Sequence, residues 1–84
     1  MTESPEILAR IGEVVRDMFD EYQGPISREL SAKMVPQWDS LANVQLMVQI
    51  EQALGVRFTS REIQGFQNLG ELVDAVDRKK RGAG

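Results

Sequence analysis

The chain is one small domain of 84 residues, 42% hydrophobic, with 13 acidic and 10 basic side chains and a net charge of −3, so it can build a core only if its elements pack efficiently. With neither Cys nor His, it has no disulfide framework, Cys-type zinc site, thiolate nucleophile or Ser-His-Asp chemistry. No apolar run approaches the roughly 18 residues of a membrane-spanning helix, and Met-Thr-Glu-Ser-Pro-Glu at the start is not a signal peptide in pattern, so a soluble, cytoplasmic protein is expected.

Ser4 and Pro5 read as the N-cap and first position of a first helix. Ile7, Leu8, Ile11, Val14, Val15, Met18 and Phe19 follow at helical spacing, while Glu6, Glu13, Arg16, Asp17 and Asp20 occupy the other face. One apolar stripe of this kind docks a helix on a core. From Glu21 to Gln37 the pattern lapses, broken by Gly24-Pro25 and restricted at its end by Pro36. Ser27 is a candidate cap for a short turn through Arg28, Glu29 and Leu30, and Ile26, Leu30, Met34 and Val35 are expected to pin this loop to the core. So long a connection suggests a crossover rather than a tight helix pair.

Asp39 and Ser40 stand where a second helix begins, and Leu41 to Leu54 contains neither Gly nor Pro before Gly55 stops it. The ordinary role of a Ser here is to cap a free backbone N–H, and Asp39 is a second candidate for that role. On a helical wheel Leu46, Met47, Ile50 and Leu54 share one arc; Leu41, Val44 and Val48 fall on another, beside the neutral Gln45 and Gln52. Two apolar arcs mean either a broadly buried central helix or an exposed strip that docks a partner. Trp38 either closes the loop against this helix or packs beneath a site at Ser40.

Gly55-Val56-Arg57-Phe58 reads as an extended connector with Val56 and Phe58 turned inward. Thr59 and Glu62 form a capping box that opens a short third helix anchored by Ile63 and Phe66, and Asn68 with Glu71 repeats the device for a fourth. Leu69, Leu72, Val73 and Val76 are its inner stripe; Glu71, Asp74 and Asp77 are expected to face water. All 13 acids lie within residues 1–77, whereas Arg78, Lys79, Lys80 and Arg81 are consecutive cations. We expect a packed body over about 4–77 and a solvated, frayed basic tail over 78–84. An acidic body and the lack of a basic recognition helix argue against nucleic acid as a partner.

The result is an all-α, four-helix bundle with three main helices, one short third helix and a long first loop, in a single domain over 1–84. With Asp39-Ser40-Leu41 heading its second helix, it resembles the acyl and peptidyl carrier proteins. The resemblance runs from about Ile7 to Val76 and is strongest at Asp39-Ser40-Leu41, Val44, Leu46, Ile50, Glu51, Leu54, Val56 and Phe58. It implies an acyl-carrier-protein-like fold and a non-catalytic protein. A separate phosphopantetheinyl transferase would use coenzyme A and Mg²⁺ to attach 4′-phosphopantetheine to Ser40 through a phosphodiester, and the arm's thiol would carry acyl groups as thioesters. By the same resemblance Asp39 helps position the transferase's metal; the chain itself has no metal site. Leu41, Val44, Gln45, Val48, Glu51 and Gln52 would face the transferase and the loading, condensing or tailoring enzymes of the pathway. Gln45 and Gln52 stand where bacterial fatty-acid carriers usually have Glu, and Met34-Val35-Pro36-Gln37-Trp38 replaces their common lead-in. Both departures favour a dedicated polyketide, peptide or other specialised carrier. A monomer with no membrane partner is expected. The competing reading is an unmodified helical interaction module that uses Leu41, Val44 and Val48 as its docking ridge.

Overall fold

The computed structural model describes residues 4–82, with the Ser4 side chain, and so its expected capping role, outside the description. Four helices follow one another: α1 (Ser4–Met18), α2 (Ser40–Leu54), α3 (Ser60–Gly65) and α4 (Leu69–Gly82), with a single 3-10 turn at Ala32–Met34 in the first loop. No strand occurs among the described residues, and no helix is long and apolar enough to cross a membrane.

The helical spacing of the apolar residues decides how these elements pack. Ile7, Ile11 and Val15 of α1 are buried against α2 and α4, with Leu46, Met47 and Ile50 from one and Leu69, Leu72, Val73 and Val76 from the other. Phe19 continues the stripe one residue beyond α1, its N–H still donating to Val15 at 2.8 Å. Gly55 ends α2 in the left-handed conformation, φ 69°, where a side chain would be strained.

The first loop crosses from α1 to α2 with Leu30, Val35 and Trp38 buried and Ile26 laid against α1. That approach needs Gly12, where an added Cβ would come within 2.8 Å of an Ile26 methyl. Met34 does not join the anchors as expected and is 56% exposed. It closes the 3-10 turn, and the extended Val35 that follows is the residue directed into the core. The turn at Ser27 closes through its carbonyl, which accepts from the Leu30 N–H at 3.2 Å.

The loop also finishes α4. Leu30 and Arg28 carbonyls accept the Leu69 and Gly70 N–H groups at 2.9 and 2.8 Å, and Asn68 Oδ1 accepts from Glu71 at 2.9 Å. Glu71 returns a bond to the Gln67 N–H, one residue before the cap rather than on it. Arg28 also pairs with Asp74 at 2.9 Å, which holds that carboxyl below its ordinary range chiefly through the hydrogen bond.

The basic tail is not frayed at residue 78. α4 continues to Gly82, and two of its four cations find partners one turn back or across the bundle. Arg81 pairs with Asp77 at 3.3 Å, drawing Asp77 away from the water it was expected to face. Lys79 reaches Glu62 on α3 at 3.0 Å and lies over the Phe58 ring, 5.6 Å from its centre. Cations in a helix's last turn also complement its dipole.

Candidate functional site

Asp39, not Ser40, caps α2. Its extended backbone places Oδ1 2.8 Å from the Ala42 N–H, and its carbonyl accepts from Asn43 at 2.8 Å. Ser40 is thereby released from the capping role its position suggested. It becomes the first residue of the helix, exposed to solvent. The Ser40 and Leu41 N–H groups take no hydrogen-bond partner among the described residues, whereas all four N–H groups from Leu69 to Leu72 at the head of α4 are occupied. Of these two long helices, α2 alone keeps free donors at its positive end, the arrangement that stabilises an anionic group.

Beside Ser40 lies a cleft of about 380 Å³ between the starts of α2 and α4 and the end of α3, with Trp38, Asn43, Met47, Phe66 and Leu72 among its lining residues. Trp38 fills both roles weighed for it. Its ring stacks on Phe19 at 5.5 Å, closing the loop, and one side faces the cleft. The indole N–H donates to Asn43 Oδ1 at 3.0 Å, and Asn43 Nδ2 donates to the Ile63 carbonyl at 3.2 Å. Asn43 thus joins the lead-in to Ser40 with α3. Sequence reasoning passed over it; the available signal was a polar residue inside the core arc of α2, between Ile50 and Leu54 on the helical wheel.

The second apolar arc is exposed. Leu41, Val44 and Val48 are 69%, 49% and 43% accessible, which rejects the broadly buried helix. Gln45 and Gln52 flank them in solvent. Glu51 differs from its expected place on this free face: it is half-buried, and its carboxylate accepts from the Phe58 N–H at 2.7 Å, tying the connector to α2.

Residues 38–76 match the family model of the phosphopantetheine attachment site. The chain is a phosphopantetheine carrier domain. No curated protein matches it. The carrier domain is non-catalytic, and its family's covalent 4′-phosphopantetheine, when bound, supplies the thiol that this Cys-free chain lacks. The residues fit that group: an exposed hydroxyl, two free N–H donors at a helix's positive end, and an adjacent cleft. Ser40 and the Leu41 N–H would hold its phosphodiester, while Asp39, committed to Ala42, keeps the first turn in the geometry that presents them.

Proposed function

We propose that Ser40 carries the arm and that the domain serves a dedicated polyketide, peptide or other specialised pathway rather than general fatty-acid synthesis. The observation that carries the site is the exposed Ser40 at the head of α2, where Asp39 takes the cap and the Ser40 and Leu41 N–H groups have no partner among the described residues. Residues 38–76 contain one other serine, Ser60, which opens a helix of six residues. Without a His or Cys in the chain, Ser40 has no strong base of its own, so a transferase activates it. The serine oxygen forms the new bond to phosphorus, the pyrophosphate bond of coenzyme A breaks, and the nucleotide leaves with the electron pair. The serine proton passes to the transferase. The neutral Gln45 and Gln52, together with the Trp38 lead-in, support the specialised pathway; loading, condensing and tailoring enzymes would then be met at Leu41, Val44 and Val48. A cytoplasmic, monomeric protein accords with this reading.

Incubation with coenzyme A, Mg²⁺ and a broad-specificity transferase should add one phosphopantetheine to the intact mass of wild type and Ser60→Ala, and none to Ser40→Ala. Because Asp39 is the cap, Ser40→Ala should stay within about 0.5 kcal/mol of wild type in urea, whereas Asp39→Ala should lose about 1 kcal/mol. An unmodified wild-type chain, under conditions that load a control carrier, would favour the plain interaction module.

A further inference from the structure

The face that surrounds the exposed strip of α2 has an unusual charge account for a chain of net charge −3. Between Ser40 and Gly65 there are two acids and two bases: Glu51, Glu62, Arg57 and Arg61. Both acids are engaged inside the molecule. Glu51 accepts the Phe58 N–H at 2.7 Å; Glu62 accepts the Thr59 N–H at 2.9 Å and pairs with Lys79 at 3.0 Å. Both bases are exposed and form no ion pair among the described residues.

Their position follows from the contacts that hold this segment. Glu51 and Asn43 are the α2 side chains bonded to the connector and to α3, through the Phe58 N–H and the Ile63 carbonyl. On the helical wheel Glu51 is the neighbour of Val44, so the connector runs along that edge of the strip. Arg57 precedes Phe58, and Arg61 lies two residues before Ile63. On the opposite edge the strip meets Gln45, Gln49 and Gln52, all exposed and uncharged. The strip thus has a cationic border on the α3 side, an amide border on the other, and no unengaged acid between Ser40 and Gly65.

We propose, resting on the carrier reading above, that the enzymes served by this domain seat Leu41, Val44 and Val48 in an apolar groove and receive Arg57 and Arg61 with carboxylates at its edge. The chemistry of the partner is therefore an apolar cradle with an acidic rim. A groove rimmed by Lys or Arg would meet two like charges along the α3 side, with the exposed Asp39 at the head of α2 as the nearest carboxylate, an arrangement that slows encounter. Rim charges act mainly on association rate and on salt dependence, and two exposed pairs together amount to no more than about tenfold.

The experiment uses the full chain, coenzyme A and two transferases chosen by the charge at their carrier groove, one basic-rimmed and one acidic-rimmed. The apparent kcat/KM for loading is measured on wild type and Arg57→Glu/Arg61→Glu at about 0.05 M and about 0.5 M salt, since the Debye length shortens several-fold over that range. The double reversal should raise kcat/KM about three- to tenfold with the basic-rimmed enzyme and lower it by a similar factor with the acidic-rimmed one. Both effects should shrink at high salt. Circular dichroism of the variant should match wild type, because neither arginine bonds to the fold. Changes below twofold with both enzymes, or changes of the reverse sign, would overturn the proposal. So would a concentration-dependent dimer in sedimentation, which would assign the strip to a second copy of the chain. Failure of both enzymes to load wild type, under conditions that load a control carrier, would instead remove the Ser40 reading, so the two outcomes are separable. Replacing the arginines by Gln, which removes charge without inserting acid, should give intermediate values and guards against a variant that misfolds.

Discussion

α1 and α3 both lie against α2, but different forces hold them there. α1 buries Ile7, Ile11 and Val15 completely in a stripe shared with α2 and α4. α3 buries no residue of its own. Its expected anchors Ile63 and Phe66 are only half-buried against the core, and the Asn43 bond to Ile63, the Lys79–Glu62 pair and the edge contact of Phe66 with Phe58 at 5.5 Å add to them. Apolar burial is non-directional and scales with area, so a 15-residue helix can rely on it. Six residues bury only part of two apolar side chains, and directional polar ties supply a larger share. The consequence for the site is that the cleft beside Ser40 is bounded on one side by Phe66 and Gln67, at the end of the more weakly packed helix, in keeping with the low-stability character of binding elements.

This contrast can be broken from either side. The largest effect belongs to the apolar helix: Ile11→Ala should destabilise the whole domain by about 2–5 kcal/mol, a large share of a small domain's total. In urea it should lower every probe together, α3 included. Asn43→Leu removes the partners of the Trp38 N–H and the Ile63 carbonyl and should cost about 1–3 kcal/mol. Its signature is local: amide exchange should quicken across α3 while α1 keeps its protection, and uniform quickening would show that α3 is as firmly packed as α1.

The smallest effect is the pH dependence of the α3 tie. The Thr59 N–H, and after it Lys79, hold the Glu62 carboxyl below its ordinary 4.5. A carboxyl lowered in the folded state adds stability that is complete above 4.5 and disappears as pH falls through the lower folded value. Glu62→Gln should therefore be less stable than wild type at neutral pH, with the urea midpoints converging below about pH 4.5. The acid dependence left in that variant belongs in part to Asp74, lowered in the same direction by Arg28. A midpoint difference that does not change with pH would detach Glu62 from this role.

Much of the fold was legible because its signals are local and periodic. The stripes of α1 and α4, the Gly55 stop and the Thr59–Glu62 box each need only residues within a turn or two of one another. The two arcs of α2 were visible too, but a wheel shows only that apolar residues diverge. Exposure of Leu41, Val44 and Val48 depended on what else packed there. Two of the misses share one cause, a partner distant in sequence, and a third is local. Glu51 seemed a free surface acid until the connector brought the Phe58 N–H to it. The basic tail seemed free until Lys79 met Glu62, seventeen positions earlier. Met34 and Val35 are neighbours with opposite fates, settled by the 3-10 turn that ends between them.

The order of residues alone determined that the chain would be helical, that a helix would start at Asp39-Ser40, and that any thiol chemistry must come from outside, since chain composition admits no exception. Only the tertiary structure decided which of those two side chains caps the helix and which stands free. It also decided that Glu51 and Glu62 are engaged within the fold while Arg57 and Arg61 are not. Hydrogen bonds and ion pairs between remote segments are made by the fold, and through them a neutral-looking helix acquires a face with a sign.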